Sequence, residues 1–384
     1  MSIETNGLSS LKIIPVVSKE DLDLFIRVPT TIFRNDPTWV APLMVERRMH
    51  LSPKHNPYFQ HAQWQAWVAL RDGNPVGRIS AQIDTLHIER YNDATGFFGL
   101  LDAEDNLETF QTLIKTAEQW LADKGIIRVR GPFNLSINEE MGLLIKGFET
   151  SPVFMMSHAL PYYAKQIEAS GYGKVKDTIA YMIAPNFDAP PVMKKIMEKT
   201  ALRVKVRPIN KKKYDQEIKL LRDIFNDSWA DNWGFVPFTE AEFEELGKNL
   251  RFLIAAEFIQ IAEIDGKAIA FIVAMPNINE AIKGLNGKLL PFGWLKLLWR
   301  LKVSKLTSAR VPLMGVRSEY QNTRLGAGIA FLIIDAVRQQ LHNNGAKDIE
   351  LSWILEDNSG MRNIIESIGG KDYKHYRIYE RILN

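Results

Sequence analysis

Two closely spaced glycines, Gly326 and Gly328, are the residues of this sequence whose type and spacing best suit binding chemistry. They open a segment whose apolar residues recur at helical spacing through Leu341, after an apolar run that ends at Val316 and a polar turn. In such a strand-loop-helix the backbone N–H groups of residues 324–329 point to one place before the helix N-terminus, where the helix dipole favours an anion. The sequence therefore predicts a pyrophosphate site, although a turn glycine followed by a helix-packing glycine explains the motif equally well.

The segments that follow this helix extend the pattern. Residues 348–354 alternate as a strand, Asn358 precedes a short helix over 359–368, and a final strand pair ends at 377–382. This order resembles the GCN5-related N-acyltransferase (GNAT) superfamily, in which a strand-loop-helix with an Arg/Gln-x-x-Gly-x-Gly/Ala signature binds the acyl-CoA pyrophosphate. The resemblance implies a mixed α/β fold and a set of acyl-CoA-binding residues: Val316, Arg317, Thr323, Arg324, Leu325, Gly326, Ala327, Gly328, Ile329 and Asn358. From its residue type alone, Asn358 is equally well explained as a helix N-cap.

The sequence departs from the superfamily pattern at three positions. Thr323 stands where Arg or Gln is usual, Gly370 stands where Phe is usual, and Ile365 stands where many members carry the Tyr that protonates the departing thiolate. Because that Tyr is absent, Tyr373 and Tyr376 on the predicted last hairpin are the candidates for the acid. Packing at the edge of the core is their alternative role.

Acyl transfer to an amine also needs a donor to the oxyanion and an acceptor for the amine proton. The resemblance places the thioester carbonyl beside the strand that ends near Val316, so the backbone N–H groups of Val316 and Arg317 are the candidate donors. A carboxylate or a histidine must take the proton. The candidates are Glu319, Glu139, Glu140 and His158, and each is also explained as solvated surface charge.

The composition limits the class of protein. The chain has 384 residues, enough for two domains, and its net charge of +3 gives no sign of a nucleic-acid-binding surface. Cysteine is absent, which excludes disulfides, thiolate metal sites and a cysteine nucleophile, and we predict no metal cofactor. Residues 1–10 are typical of a loose tail rather than a signal peptide, and no run reaches the roughly 18 to 20 apolar residues of a transmembrane helix. We therefore expect a cytoplasmic protein.

Three sequence patterns occur twice, in the same order. Asp72-Gly73 matches Asp265-Gly266, residues 119–125 match 339–345, and residues 167–171 match 365–369. Such repetition indicates a duplicated unit. We predict a tandem GNAT protein with an N-terminal domain over 11–185, a linker with paired prolines over 186–194, and a C-terminal domain over 195–384.

The two copies differ at the predicted phosphate loop. The first copy has residues 99–106 there, with three carboxylates and no second glycine, and such a loop would repel CoA. We therefore predict that the second copy binds the acyl donor and that the first contributes to the acceptor site. Asn134, Ser136 and Asn138 alternate with apolar residues as in a strand, and two glutamates follow. The candidate acceptor-binding residues are Asn134, Ser136, Asn138 and Glu140, although a surface strand has the same pattern.

An amphipathic helix is predicted within 288–305. Its apolar face holds Trp294, Leu297, Leu298 and Leu301, and its basic side holds Lys296 and Arg300. Tryptophan and lysine on a short amphipathic helix are typical of a membrane-interface segment. The pattern predicts contact with the inner face of the membrane and makes Trp294 a candidate contact for a lipid substrate. A core helix with a solvated basic edge and a lid over an apolar substrate are the alternatives.

Two passages narrow the resemblance. The first copy contains Gly-Pro-Phe-Asn-Leu-Ser-Ile-Asn at 131–138, and the second contains Leu-Pro-Phe-Gly-Trp-Leu-Lys at 290–296. Both are similar to passages of a bacterial group of tandem GNAT proteins that includes the bacterial ceramide synthases. The resemblance implies transfer of a fatty acyl group from acyl-CoA to the amine of a long-chain sphingoid base. The alternatives are a CoA- or lipid-binding module without turnover, an acetyltransferase for a small amine, and transfer from aminoacyl-tRNA, against which the near-neutral charge argues.

Overall fold

The computed structural model describes residues 10–251, 253–302 and 306–383 of the chain. Residues 1–9 of the predicted tail and residues 303–305 of the predicted amphipathic segment lie outside these ranges. The described residues form two compact units: the first holds those up to 151, those in 157–175 and those from 377 onward, and the second holds 152–156 and 176–376. The predicted domain ranges and the linker at 186–194 remain predictions about the duplicated copies, and the linker residues belong to the second unit.

The first unit is built on a mixed sheet with helices packed against it. Its strands are β1 (Leu11–Pro15), β2 (Ala62–Arg71), β3 (Asn74–Asp84), β4 (Thr95–Ala103), β5 (Arg128–Gly131), β6 (Phe133–Asn134), β7 (Glu140–Met141) and β8 (Leu143–Lys146). Its helices are α1 (Lys19–Ile32), α2 (Met44–His50), α3 (Thr85–Tyr91), α4 (Leu107–Ala122) and α5 (Tyr163–Ala169). The order is β1-β2-β3-β4-β5, antiparallel except for the parallel pair β4 and β5.

The second unit repeats this plan. Its strands are β9 (Gly173–Ile183, from residue 176), β10 (Lys205–Pro208), β11 (Ile259–Ile264), β12 (Lys267–Pro276), β13 (Ser308–Val316), β14 (Asp348–Leu355) and the first part of β15 (Lys371–Ile382). Its helices are α6 (Pro191–Ala201), α7 (Tyr214–Ser228), α8 (Glu240–Leu250), α9 (Ile278–Ile282), α10 (Gly293–Lys302), α11 (Arg324–Asn343) and α12 (Ser359–Ser367). The order β10-β11-β12-β13-β14 is again antiparallel until its last pair, β13 and β14, which is parallel. The predicted tandem mixed α/β architecture is confirmed.

The repeated sequence patterns adopt matching backbone conformations. The hairpin turns have φ of 50° and 81° at Asp72 and Gly73, and 50° and 77° at Asp265 and Gly266. Positive φ at two consecutive residues is the geometry of the tight hairpin turn that Asp-Gly favours. The glycines that end the matching helices agree as closely, with φ of 81° and 87° at Gly125 and Gly345 and of 91° at both Gly171 and Gly369.

Helix α11 positions the predicted phosphate loop. Thr323 caps its N-terminus, since its Oγ1 accepts the N–H of Gly326 at 3.0 Å. Along the helix Ile329, Ile333, Val337 and Leu341 recur every four residues and are at most 2% exposed. Burial of each such side chain contributes about 1.5–3 kcal/mol, so the sheet holds this helix firmly behind the loop.

The prediction of a strand pair at the C-terminus is wrong. Residues 371–382 form the single strand β15. Nothing between Tyr373 and Ile382 interrupts the chain with Gly, Pro or Asn, and Lys374, Tyr376 and Ile378 alternate as buried residues along one face. Among the described residues, no helix has the length and apolar character needed to cross a membrane.

Candidate active site

A cavity opens in the second unit where β13 and β14 separate. The two strands pair in parallel from Ser308 opposite Asp348 to Val311 opposite Leu351, although both continue for four or five residues further. The cavity has a volume of about 310 Å³, and its wall is mostly apolar. Most of the wall comes from β13, β14, α11 and α12, including Val311, Pro312, Met314, Ile334, Val337, Leu341, Ile349, Leu351, Ile354, Ile364, Ile365 and Ile368.

Two backbone donors of β13 point into this opening. The N–H of Arg317 donates to the carbonyl of Ile269 in β12 at 2.9 Å. Paired residues of an antiparallel ladder alternate between hydrogen-bonded and non-hydrogen-bonded positions, so Met314 and Val316 direct their N–H groups away from β12. The Arg317 N–H, predicted to share the oxyanion role, is therefore already bonded, whereas that of Val316 faces the cavity.

The carbonyl groups beside these donors already have partners. Met314 O accepts the indole N–H of Trp229, and Val316 O accepts the side-chain amide of Gln321, both at 2.9 Å. The N–H groups of Met314 and Val316 have no partner in the described part of the chain. This strand edge therefore offers two donors to a ligand that enters the opening.

The predicted anion site before α11 has fewer free backbone N–H groups than expected. Thr323 occupies two of the predicted donors, because its Oγ1 accepts from Gly326 and its carbonyl accepts from Ala327 at 3.1 Å. Gly328 and Ile329 lie inside the helix, where each N–H bonds to the carbonyl four residues earlier. Within the described residues, the N–H groups of Arg324 and Leu325 are left for an anion.

Contacts inside the second unit account for both glycines. A β-carbon built on Gly326 would lie 2.1 Å from the carbonyl oxygen of Tyr320, so only glycine lets the loop close over the helix start. A β-carbon on Gly328 would lie 2.0 Å from Thr200 Oγ1, so this glycine allows α6 to pack against α11. The helix-packing interpretation thus describes Gly328, and the turn interpretation describes Gly326.

Asn358 is a helix N-cap at the wall of the cavity, and its contact with acyl-CoA stays a prediction. Its Oδ1 accepts the N–H of Met361 at 3.1 Å as the N-cap of α12, and the residue also lines the cavity. Ile365, at the position of the missing Tyr, is 3% exposed and lines the cavity with an aliphatic side chain.

The candidate acids belong to a buried polar cluster. The hydroxyl of Tyr373 donates to Glu350, and the hydroxyl of Ser352 donates to the other oxygen of the same carboxylate at 2.6 Å. Tyr376 is fully buried, and its hydroxyl has no hydrogen-bond partner among the described residues. Burial, followed by the nearby Glu350 carboxylate, raises the pKa of both tyrosines above the usual range. They are therefore neutral donors at physiological pH.

Sequence reasoning missed Glu350 and Arg310. They are paired residues of adjacent strands, and both are buried, at 0% and 1% exposure. Burial raises the pKa of the Glu350 carboxyl, which the Arg310 guanidinium opposes. The sequence shows a charged residue within each of two mostly apolar strands, which is a sign of a buried charge. Only the register of the strands shows that these two residues are neighbours.

None of the four predicted proton acceptors, Glu319, Glu139, Glu140 and His158, lines this cavity. Glu319 is exposed and lies 3.8 Å from Lys267 Nζ. In the first unit, His158 Nε2 lies 2.7 Å from Asp36, and Glu139 lies 2.9 Å from His50 Nε2. Burial opposes the charge on His50, but the Glu139 carboxylate outweighs this and raises the pKa of the imidazole.

The predicted acceptor-binding strand of the first unit is not a strand. Only Phe133 and Asn134 are extended, and residues 135–139 form bends and turns, with Leu135 at φ of 80°. Leu135 and Ser136 are both buried, so the predicted alternation of inner and outer side chains is wrong. Ser136 Oγ accepts the N–H of Asn138 at 3.0 Å, and together they stabilise the turn.

This segment covers the edge of β4 that corresponds to the opening in the second unit. The β4–β5 pairing ends at Phe97, and beyond it Asn134 Oδ1 accepts the N–H of Leu100 at 2.8 Å. Asn134 Nδ2 donates to Glu140 at 3.0 Å, and Glu140 lies 3.6 Å from Arg47. In the first unit, the N–H of Leu100 therefore donates to a side chain of the same unit, whereas in the second unit the corresponding strand edge offers its N–H groups to a ligand.

Helix α10 presents apolar side chains to solvent. Four apolar side chains of this helix are at least 45% exposed: Trp294, Leu295, Leu298 and Trp299. Leu290 and Phe292, just before the helix, are also exposed. The predicted faces are partly wrong, because Leu297 and Leu301 are half-buried. Arg300 donates to the carbonyls of Ala281 and Lys283 at 2.8 and 2.6 Å instead of facing solvent. Trp294 does not line the cavity, and its indole donates to Pro291 O at 3.1 Å.

The duplicated sheet and the opening beside β13 define the class of protein: the chain has the tandem GNAT fold. A tandem GNAT protein from the clavulanic acid biosynthesis pathway superposes with a TM-score of 0.56 at 12% identity, covering 97% of this chain and 98% of that one. No protein-family model matches the chain. No cluster of three or more His, Asp or Glu side chains suited to a metal ion occurs in the described ranges.

Two relatives give the family. The chain is 51% identical to Protein YghO of Escherichia coli over 366 residues, which is 95% of this chain and 94% of the relative. It is 44% identical to the bacterial ceramide synthase of Caulobacter vibrioides over 377 residues, which is 98% of both chains. The chain belongs to the family that contains these two proteins.

Proposed function

We propose that this protein transfers a fatty acyl group from acyl-CoA to the primary amine of a long-chain, sphingoid-type base and so forms a ceramide-like amide. The observation that carries the proposal is the apolar cavity between the diverging strands β13 and β14. An acetyl group needs no aliphatic wall of this extent, whereas a fatty acyl chain is stabilised by burial at about 0.8 kcal/mol per methylene group. The 44% identity to a protein named ceramide synthase supports the same acceptor class.

The donor side of the site follows from the backbone groups that the protein leaves without partners. The N–H groups of Arg324 and Leu325 and the dipole of α11 suit the pyrophosphate. The N–H of Val316, at the end of β13 nearest this loop, suits a carbonyl of the pantetheine arm, which would extend along the edge of β13 as an added strand does. The acyl chain then enters the aliphatic part of the cavity toward Leu341 and Ile368.

The N–H of Met314, which the arm reaches after Val316, is the donor for the oxyanion. As the amine nitrogen attacks the thioester carbon, negative charge develops on the carbonyl oxygen, and a fixed donor in a dry site stabilises it. One such donor contributes about 3–4 kcal/mol to the barrier. Trp229 helps to hold Met314 in place, because its indole N–H donates to the Met314 carbonyl.

We also propose that the exposed apolar face of α10 contacts the membrane surface that holds the lipid substrates. Aromatic and leucine side chains at 45–79% exposure lie beside the exposed Lys288 and Lys296. The sequence has no acidic residue from 281 to 318. Apolar side chains with basic neighbours match an anionic lipid surface, and a solvated helix gains nothing from such a face.

The test is a matrix of donors and acceptors. Purified protein is incubated with acetyl-, octanoyl- or palmitoyl-CoA and with sphinganine, a short alkylamine or no amine, and the products are weighed by mass spectrometry while thiol release is followed. The proposal expects an N-acyl sphinganine from the long-chain donor. Acetylation of the short amine alone would replace it with a small-amine acetyltransferase, and tight acyl-CoA binding without thiol release would indicate a binding module.

A further inference from the structure

A cluster of buried polar residues lies beside the cavity and is not used by the mechanism so far. Arg310, Glu350 and Ser352 are 1%, 0% and 4% exposed. The Arg310 Nε donates to Ser352 Oγ at 2.9 Å, and Ser352 donates to the Glu350 Oε1 at 2.6 Å. Tyr373 donates to Glu350 Oε2. The Glu350 carboxylate is therefore held by two hydroxyl donors.

Arg310 is fixed independently of Glu350. Its Nη1 donates to the carbonyls of Phe154 and Met155 at 3.2 and 3.0 Å, and its guanidinium lies 4.5 Å from the ring centroid of Trp353. Its Nε lies 3.8 Å from the nearest Glu350 oxygen, farther than in a paired salt bridge with hydrogen bonds. The Arg310 guanidinium therefore has hydrogen-bond partners other than Glu350, while its charge still acts on the carboxylate at 3.8 Å.

Ser352 connects this cluster to the site. It lines the cavity together with Trp353, whereas Glu350 does not. Val311 and Leu351 are the last paired residues of β13 and β14, so Ser352 is the first β14 residue beyond the point of divergence. By the register of the last paired residues it lies across the opening from Pro312, two residues before Met314 on β13.

We infer that Glu350 is the final acceptor of the amine proton and that the hydroxyl of Ser352 passes the proton to it. This inference rests on the proposed function. The amine nitrogen forms a bond to the thioester carbon, one proton leaves the nitrogen for Ser352 Oγ, and the Ser352 proton moves to Glu350 Oε1. The C–S bond then breaks, the thiolate of CoA departs, and the proton on Glu350 returns through the same hydroxyl to the sulfur. No further reactant is needed.

The surroundings of Glu350 suit this task. Burial raises the pKa of its carboxyl, which makes it a stronger base than a solvated glutamate, and the Arg310 guanidinium opposes that shift. The other groups that face the carboxyl are Ser352, Tyr373, Tyr376 and the buried Lys374. Tyr373 and Tyr376 are neutral, because burial raises the pKa of each.

The experiment compares two pairs of variants with palmitoyl-CoA and sphinganine. Glu350→Gln keeps the shape, and its amide oxygen can still accept from one of the two hydroxyls while its NH2 group faces the other. We expect it to lower kcat by about 100-fold, the smaller end of what a positioned acid or base contributes. The KM for palmitoyl-CoA should stay within about twofold, since a proton acceptor adds no ground-state contact. Glu244→Gln, at a half-exposed position of helix α8 outside the cavity wall, is the matched control and should retain wild-type kcat.

Variants of Ser352 distinguish a proton path through its hydroxyl from a purely structural role of Glu350. Ser352→Ala should lower kcat as Glu350→Gln does, and Ser352→Thr, which retains a hydroxyl, should restore it. The wild-type kcat/KM for the amine should rise with pH through the carboxyl titration, and this limb should be missing in Glu350→Gln while the limb of the amine itself remains.

The outcomes separate this inference from the proposed function. Wild-type turnover with an unchanged kcat in Glu350→Gln, or equal rates for the alanine and threonine variants of Ser352, would overturn the proton path and leave the acyltransferase proposal intact. A wild-type protein that binds acyl-CoA and forms no amide with any amine would overturn both.

Discussion

Gly326 and Tyr320 approach so closely that a β-carbon on Gly326 would lie 2.1 Å from the Tyr320 carbonyl oxygen. The contact closes the loop that presents the N–H groups of Arg324 and Leu325. In Gly326→Ala the loop must open, and these donors move away from the pyrophosphate. We expect acyl-CoA affinity to fall about tenfold or more, as for the loss of a hydrogen bond to a charged group. Isothermal titration with CoA and with palmitoyl-CoA measures the change.

Gly328 supplies the control for this prediction. Its substitution by alanine would meet Thr200 Oγ1 at 2.0 Å, at the contact between α6 and α11 and away from the loop. Overpacking of this kind costs about 1–3 kcal/mol, which lowers Tm by roughly 2–4 °C per kcal/mol in a chain of this size class. Adding Thr200→Ala should recover part of that loss. Equal CoA affinities in the two glycine variants would contradict the anion site at Arg324 and Leu325.

Met314 and Val316 allow the two backbone donors of β13 to be separated. Proline removes an N–H, and neither N–H is used in the ladder with β12. Met314→Pro should lower kcat by about 100- to 1,000-fold with a small change in KM, the pattern of a lost oxyanion donor. Val316→Pro should raise the KM for acyl-CoA with a smaller change in kcat. Steady-state kinetics with thiol detection distinguishes the two, and the reverse assignment of effects would place the thioester at Val316.

Ile334 tests whether the cavity holds the acyl chain. It is half-buried on α11 and lines the aliphatic part of the wall. In Ile334→Trp we expect kcat/KM for palmitoyl-CoA to fall about tenfold or more while that for acetyl-CoA changes little, since even one methylene in an apolar pocket is worth roughly 1–3 kcal/mol. Phe331→Trp, on the same helix and outside the cavity wall, is the control. An equal loss for both donors would show that the cavity serves another purpose.

The sequence predicted the elements of the second unit because their signals are local. Gly326 and Gly328 mark the start of α11, and the apolar spacing to Leu341 marks its length, so strand, loop and helix were found nearly to the residue. The extent of the anion site was not predicted, because Thr323 takes up two donors with its own side chain and carbonyl. Such capping depends on rotamer and loop geometry.

Contacts between residues that are distant in the sequence could not be predicted from one sequence. Glu350 and Arg310 are 40 positions apart and become neighbours only through the register of β13 and β14. The alternation from Asn134 to Asn138 predicted a strand, but the buried Leu135 at positive φ turns the chain there. Periodicity over five residues does not separate a strand from a turn whose side chains bond to their own backbone.

The exposed side chains of helix α10 allow the proposed membrane contact to be tested. Leu298 and Trp299 are 45% and 58% exposed. We expect Leu298→Glu and Trp299→Glu each to reduce binding to vesicles of anionic lipid about tenfold, because a carboxylate at the lipid surface adds a desolvation cost and is repelled by the anionic headgroups. Leu202→Glu is the matched control, since Leu202 is 86% exposed at the end of α6. Sedimentation with vesicles gives the bound fraction. Loss of binding in the Leu202 variant alone would place the contact elsewhere.

Asp36 and His158 predict a pH dependence of stability in the first unit. Burial by itself would raise the pKa of the Asp36 carboxyl, but the hydrogen bonds from Thr38 and His158, at 2.6 and 2.7 Å, outweigh it and lower that pKa. A carboxyl whose folded pKa is lowered stabilises the fold above its unfolded value of about 3.9, and this contribution disappears as the pH falls through the folded pKa. Urea unfolding of wild type and Asp36→Asn should therefore differ most at neutral pH, with the difference shrinking below about pH 4. Glu20→Gln, in the first turn of α1, serves as the control within the same unit. A difference between wild type and Asp36→Asn that is constant from neutral pH to pH 3 would show that the substitution acts through packing rather than through the charge of Asp36.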